Sequence, residues 1–312
     1  MKPFLVVNPR SGGGATARHF DTIFQAVRNA LGDCAHAFTE RPMHAAELTR
    51  TALQDDCDLV VAVGGDGTIN EVVNGFFAEA VAGVDSQPLR PGAALGVLPR
   101  GTGGDLRRSI GLDGDVFRSA ARLKGERAKV DVGRVDYQAD DGRPAARHFI
   151  NVGEVGVGAR VVDLANSSSK VLGGKLTFMF ASMRALIGWR DLAVRASFDG
   201  GPFEDLSVTT LAIANGRYFG GGMMVAPEAR LDDGQFHVTI WSGFTLRDFV
   251  LKSSSMYDGT HVKLPGTRTR TARTVRLEAQ GTLPVDIEVD GERIGRLPAT
   301  FTLLPGALHL VR

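Results

Sequence analysis

Three stretches in the first third of the chain join an apolar run to a cluster of glycines and then to a segment of helical period. They are VNPRSGGG at 7–14, LVVAVGGDGTINEVVNG at 59–75 and PRGTGGDLRRSIG at 99–111. Glycine at such junctions lets the backbone take positive φ and brings its N–H groups close to an anion. The free N–H groups and dipole of a helix start near Thr68 add to that attraction. Asp66 cannot hold a bare phosphate. Its natural partners are a ribose, an amide donor, or a magnesium ion bridging to phosphate. Asn70 and Glu71 fall in the first helical turn, where a carboxylate suits the dipole in any case. One such loop is equally well explained as a plain strand-to-helix turn capped by Thr68. No Gly-Lys-Ser/Thr follows, so it is not a P-loop, and it is not the usual dinucleotide fingerprint. Three such loops on one sheet edge imply a long ligand that carries a polyphosphate.

Two further stretches carry paired carboxylates. ARLDDGQF at 229–236 contains Asp-Gly, a common hairpin signal, and also offers a carboxylate and main-chain oxygens of the kind a hard cation takes. EVDGERI at 288–294 repeats Asp-Gly between strand-like runs; a turn accounts for Asp290 and Gly291 but does not require Glu292.

The elements that must position these residues are legible as periods. FLVVN at 4–8, AHAF at 35–38, DLVVAV at 58–63 and ALGVLP at 94–99 read as strands. The segments 15–31, 44–53, 69–80, 103–112 and 114–125 read as helices. Strands alternating with helices, and near-continuously apolar, predict a parallel sheet covered on both faces. Beyond about residue 130 the pattern changes. HFINVGEVGVGARVV, LSVTTLAIANG, FHVTIWSG, TVRLEA, PVDIEVDG and ATFTLLPGALHLV alternate apolar and polar residues, as an antiparallel sheet or sandwich does, interrupted by one helical segment at 175–189. The expected fold is an N-terminal α/β domain over 1–130 and a β-rich domain over 131–312. A ligand site is expected in the cleft between them.

Composition narrows the function. A chain of 312 residues, 43% hydrophobic and 23% charged, with net charge +1, is long enough for a sizeable core and lacks the basic excess of a nucleic-acid binder. Cys34 and Cys57 make neither a disulfide framework nor a metal spacing, which suits a reducing cytoplasm. The apolar run after Lys2 is too short for a signal peptide, and no stretch approaches the ~18 apolar residues of a membrane span. Contact with a membrane is therefore expected at its surface. Around 170–190 the broad apolar face reads first as core and second as an acyl-chain groove. Arg268, Arg270, Arg273 and Arg276 read first as a solvated face and second as a dock for anionic headgroups.

Taken together, GGDGTINEVVNG, VNPRSGGG and LPRGTGGDLRRSIGL resemble the diacylglycerol kinase catalytic domain, whose family includes bacterial soluble lipid kinases, sphingosine kinases and ceramide kinases. The likeness continues through FINVGEVGVGA, ANGRYFGGGMMVAPEARLDDGQFHV and VDGE, and so spans essentially the whole chain.

The resemblance implies the two-domain fold of NAD kinases and diacylglycerol kinases: a parallel nucleotide-binding domain plus an antiparallel β-sandwich-like domain, the last strand returning to the first. It implies ATP contacts at Asn8, Pro9, Arg10, Ser11 and Gly12; at Thr39; at Gly65, Asp66, Gly67, Thr68, Ile69, Asn70 and Glu71; and at Thr102. It implies a structural magnesium site with the Asp233 carboxylate and the main-chain oxygens of Arg230 and Gln235, and Asp105 on a magnesium–water network. Glu292 is the implied proton acceptor, with Asp290 its rival. Two positions depart from the family pattern: Gly104 stands where Asn is usual and Gly158 where Asp is common. The implied activity is ATP- and Mg²⁺-dependent transfer of the γ-phosphate to the hydroxyl of diacylglycerol, a sphingoid or ceramide lipid, or phosphatidylglycerol. It would run in the cytoplasm at the inner membrane face. A kinase of a soluble substrate such as NAD, or a non-catalytic nucleotide- or lipid-binding homologue, are the alternatives. The oligomeric state, a homodimer included, is left open.

Overall fold

The computed structural model describes residues 1–101, 103–167 and 174–312, so Thr102 and part of the 170–190 stretch lie outside the described residues. Strands β1 (Pro3–Val7), β2 (Ala35–Phe38), β3 (Leu59–Gly64) and β4 (Ala94–Pro99) pair in parallel in the order β2-β1-β3-β4. Each buried strand divides its side chains by the period of two. In β3, Leu59, Val61 and Val63 face one core with Ile23 and Val27 of α2 (Phe20–Leu31) and Ala120 of α6 (Val116–Arg122). Val60 and Ala62 face the other, with Ala45 and Leu53 of α3 (His44–Gln54) and Ile69 and Val73 of α4 (Asp66–Gly75).

Element ends differ from the periodic reading for local reasons. Segment 15–31 is two helices, α1 (Ala15–Arg18) and α2, because His19 leaves helical geometry at φ −112° and ψ 17°. Helix α4 starts at Asp66 rather than Ile69 and stops at Gly75, after which Phe76 and Phe77 are buried in the core. The 103–112 helix contracts to α5 (Asp105–Ser109), and the 114–125 helix to α6, whose N-cap Asp115 accepts the Arg118 N–H at 2.8 Å.

The C-terminal half holds β5 (Arg127–Gln138), β6 (Pro144–Phe149), β7 (Val152–Gly156), β8 (Leu192–Phe198), β9 (Glu204–Val208), β10 (Thr210–Ala214) and β11 (Phe236–Trp241). It continues with β12 (Thr267–Ala272), β13 (Thr274–Ala279), β14 (Asp286–Val289) and the long β15 (Glu292–Val311). One antiparallel layer runs β12-β11-β10-β7-β14, another β9-β8-β13, and β15 joins both. Between them lies a core in which Phe149 stacks on Phe236 at 5.7 Å and meets Phe301 edge-on at 6.0 Å. The last residues of β15 pair in parallel with β4, His309 opposite Ala94, so both halves share one hydrogen-bonded network.

Two parts of this half correct the sequence reading. HFINVGEVGVGARVV is strand only as far as Gly156; Val157–Ser167 is a helix, α7. Besides α8 (Gly174–Leu186), a further helix, α9 (Leu246–Asp258), opens with a capping box between Thr245 and Asp248. The interruption is thus three α-helices and a short 3-10 turn (Thr260–Lys263) among the described residues, not one helix.

Candidate active site

The three glycine junctions meet. In the first, Gly12, Gly13 and Gly14 take φ of 60°, 64° and 81°, a run open only to glycine, and a Cβ on Gly12 would lie 3.0 Å from the Arg100 carbonyl oxygen of the third. The second and third touch backbone to backbone: a Cβ on Gly101 would lie 2.5 Å from the Gly65 Cα. Asn8 Nδ2 donates to Thr68 Oγ1 at 2.9 Å, tying the first loop to the second. Together the loops line one side of a cleft of about 580 Å³.

The opposite wall comes from the β-rich half. Ile150, Asn151 and Val152, the Gly220–Gly221 turn of NGRYFGGG, and Glu288, Asp290 and Gly291 of the β14–β15 hairpin line it. Gly221 N–H donates to Asp105 Oδ2 at 2.9 Å, docking that motif on the third loop.

Of the positions implied by resemblance, Asn8, Arg10, Ser11, Gly12, Gly65, Asp66, Gly67, Thr68, Asp105 and Asp290 line the cleft. Pro9, Thr39, Ile69, Asn70 and Glu71 do not. Thr39 continues the sheet, its N–H bonded to the Val7 carbonyl. Ile69 is in the core. Asn70 is fully buried and donates to the His148 carbonyl at 3.1 Å and to Asp290 at 2.8 Å. Glu71 Oε2 accepts the Ala45 N–H at 3.1 Å, capping α3, and burial raises its pKa. Helix α4 therefore turns residues 69–71 away from the cleft lining and toward the neighbouring elements.

Asp66 is also more a strut than a contact. Its carboxylate accepts N–H groups from Gly104 (2.7 Å), Asp105 (3.3 Å) and Leu106 (3.3 Å), holding the start of α5 against the second loop. Asp105, buried and beside the Asp66 charge, has its pKa pushed up to about 6.

The two catalytic candidates separate clearly. Asp290 is saturated: Ile150 N–H and Asn70 Nδ2 donate to one oxygen, and Asn151 and Val152 N–H to the other, at 2.8–3.0 Å. It pins the hairpin to β7 and α4. Glu292, at the rim, reaches back so that its Oε1 would lie 3.2 Å from a Cβ on Gly67, and Arg147 holds its Oε2 at 2.6 Å.

The LDDG loop lies apart from the cleft lining. Asp233 Oδ2 bonds His237 Nε2 at 2.9 Å and its Oδ1 accepts the Gln235 N–H at 3.3 Å, while the Arg230 side chain pairs with Asp232. Among the described residues no group of three or more His, Cys, Asp or Glu could hold a metal. Asp233 thus closes its own turn. The basic run is partly spent as well: Arg270 pairs with Glu204 at 2.9 Å and lies over the Phe198 ring.

Comparison with known proteins agrees with this geometry. Residues 2–135 match the diacylglycerol kinase catalytic domain, and residues 151–312 match the YegS C-terminal NAD kinase beta sandwich-like domain. The chain belongs to the diacylglycerol kinase family. It is 28% identical to a diacylglycerol kinase of Bacillus subtilis, over 98% of this chain and 95% of that one, and 27% identical to one of Mycobacterium tuberculosis, over 100% and 95%. Its fold is that of a diacylglycerol kinase structure from Bacillus anthracis (TM-score 0.69, 20% identity, 99% of this chain and 96% of that one). A yeast NADH kinase complexed with NADH is a more distant likeness in fold (TM-score 0.52, 11% identity, 100% and 83%).

Both departures from the diacylglycerol kinase pattern have a local account. Gly104 sits at φ 68°, a conformation that Asn is among the few other residues to tolerate. At Gly158 a Cβ would fall 2.1 Å from Glu154 Oε2, so a carboxylate from β7 fills the space of the family's Asp. Glu154 accepts Gly158 N–H at 3.0 Å and Thr210 Oγ1 at 3.1 Å, and stands directly opposite Glu288 of β14. Burial raises the pKa of both, that of Glu154 to about 7. The roles of this pair, of Arg147 and of Gly220–Gly221 escaped the sequence reading, although FINVGEVGVGA and NGRYFGGG were among the stretches that carry the resemblance. A glutamate inside each of the apolar runs VGEVG and DIEV was the available signal.

Proposed function

We propose that the chain is an ATP-dependent lipid kinase. The observation that carries this reading is the meeting of three glycine loops with the Glu292 carboxylate beside Gly67, in a cleft that continues into an apolar pocket. Phe178 and Phe219 line both the cleft and that pocket, where Trp241, Phe249 and Met256 supply the apolar wall. That pocket has about 40 Å³ of free space, too little for an acyl chain. It marks the apolar side of the cleft, against which a hydrocarbon tail would lie while a polyphosphate meets the loops.

In this reading the loop N–H groups and the start of α4 bind the ATP phosphates, and Asn8 and Asp66 hold the loops at fixed spacing. A magnesium ion would be held chiefly by the phosphates and by water, with Asp66 and Asp105 reached through that water, since both carboxylates already accept neighbouring N–H groups. Bound there, the metal would neutralise charge on the phosphates. Glu292, oriented by Arg147, accepts the proton of the lipid hydroxyl as that oxygen attacks the γ-phosphorus in line and the bond to the β-γ bridging oxygen breaks. The loose transition state of phosphoryl transfer needs positioning and charge neutralisation more than a strong base. Asp290, with both oxygens engaged, positions the hairpin. The kinase would work on the cytoplasmic side of the membrane as a peripheral protein; no described helix is long and apolar enough to cross one.

The test is to incubate the protein with labelled ATP, Mg²⁺ and a panel of diacylglycerol, ceramide, sphingoid base, phosphatidylglycerol and NAD. Label in a lipid supports the proposal. Label in NAD alone would make it a soluble-substrate kinase, and label in nothing would leave a binding homologue.

A further inference from the structure

The glycine loops follow the carboxyl ends of the parallel strands. At the amino end of β4 lies a second cavity, of about 360 Å³, and none of its lining residues belongs to the cleft. Its walls come from both halves of the chain. Residues of the 86–93 segment lead into β4, residues 304–309 belong to β15, and Lys129 of β5 and Phe76 at the end of α4 complete it.

The sequence builds these walls from prolines and a bulge. Strand β15 shifts register against β5 between Leu304 and Leu308, so Pro305–Ala307 stand out of the ladder. Gly306 takes φ 57° there and its N–H bonds to Asp131 at 2.7 Å. The 86–93 segment carries Pro88 and Pro91, and its Leu89 N–H bonds to the Phe76 carbonyl at 2.8 Å. Walls of this kind lose little freedom when a ligand fills the space between them.

Charge sets this cavity apart. The cleft lining holds the carboxylates Asp66, Asp105, Glu288 and Asp290. The second cavity is lined by Arg90, Lys129 and His309, and by no Asp or Glu among the described residues. Arg90 is spent on Asp56, at 2.5 Å. Lys129 and His309 are not spent. They stand directly opposite each other on β5 and β15, hence on one face, and neither side chain has a hydrogen-bond or ion-pair partner among the described residues. Ser86 Oγ accepts from Arg134 at 3.0 Å and keeps its own proton to donate. A lone surface lysine would be solvated and mean nothing. Two unpaired basic side chains and a hydroxyl around one concave space call for an anion with several acceptor oxygens. The rings of Pro88, Pro91 and Pro305 offer an apolar body somewhere to lie.

We infer that this cavity binds a small phosphate monoester with an apolar body, of about the size of a nucleoside monophosphate, away from the cleft where phosphoryl transfer is proposed. The inference goes beyond the kinase reading and does not depend on it.

The experiment saturates the full chain with Mg²⁺ and a non-hydrolysable ATP analogue to fill the cleft, and then titrates it by calorimetry. The probes are AMP, GMP, CMP and UMP and, as a lipid-derived source of the same chemistry, dihexanoyl phosphatidic acid. The four nucleosides and dihexanoylglycerol, which lack the phosphate, are the controls. At least one phosphate binds where its control does not, and which one binds tells a nucleotide from a lipid source. Lys129→Gln combined with His309→Gln weakens that binding at least roughly tenfold and unfolds in urea at the wild-type concentration. Because His309 is half-buried and the double variant could fail to fold, single Lys129→Glu, on an exposed side chain, gives the same test. No binding of any of these phosphates at millimolar concentration overturns the inference. So does binding that the folded variants keep, or that the phosphate-free controls match.

Discussion

Glu154→Gln replaces one member of the buried carboxyl pair by an isostere of its protonated form. Burial raises the Glu154 pKa from 4.5 to about 7, and no cation offsets it; the bonds from Gly158 and Thr210 recover only part of the cost. A folded-state pKa above the unfolded value means stability that is fully present below about pH 4.5 and lost as pH rises through 7. At 1.36 kcal/mol per unit, the ionised form costs the native state roughly 3 kcal/mol in mildly alkaline solution. The substituted amide cannot ionise, and its oxygen can keep the Gly158 and Thr210 bonds. Wild type and E154Q should therefore unfold at the same urea concentration at about pH 4.5, and the variant should be more stable by up to ~3 kcal/mol near pH 8.5. Asp105, Glu71 and Asp290, also raised by burial, are present in both proteins and cancel in the difference. Glu288, which the Glu154 charge pushes up further, is relieved of that charge in E154Q and adds to the difference in the same direction. A stability difference that does not change with pH would refute the reasoning.

Glu292→Gln should lower phosphoryl transfer by about 10²–10⁴-fold while nucleotide affinity, read by calorimetry, stays within a factor of two or so; wild-type turnover would place proton acceptance elsewhere. Gly101→Ala places a methyl group 2.5 Å from the Gly65 Cα, a backbone clash no rotamer relieves, and should weaken nucleotide binding at least roughly tenfold in the same titration. Asp290→Ala strips the acceptor from three backbone N–H groups and Asn70, and should cost about 3–5 kcal/mol in urea unfolding.

The parallel half was legible because β1, β3 and β4 are near-continuous apolar runs followed within a few residues by glycines, and both length and punctuation survive in one dimension. The cleft followed from the same signal, since parallel strands put their C-terminal loops on one edge. Which residues beyond the loops themselves face the cleft was legible only in part. Ile69, Asn70 and Glu71 belong to the GGDGTINE motif, yet the turn of α4 sends them to the core, to Asp290 and to α3. Asp66 finds its partners at Gly104–Leu106, a contact set by loop docking rather than by spacing. Helix α9 hid because Val250 and Leu251 break its amphipathic pattern on the outer face. Helix α7 hid because Gly-Val-Gly reads as strand until Gly156, at φ 130°, turns the chain.

The central claim is that the three glycine loops form one binding surface for the phosphates of a nucleotide. A crystal structure of the chain with Mg²⁺ and a non-hydrolysable ATP analogue tests it most directly. The account predicts phosphate oxygens within hydrogen-bond reach of main-chain N–H groups from all three of the junctions at 7–14, 59–75 and 99–111, with the γ-phosphate nearest Glu292. A triphosphate bound elsewhere, or held by one loop while the other two stay clear of it, would contradict it.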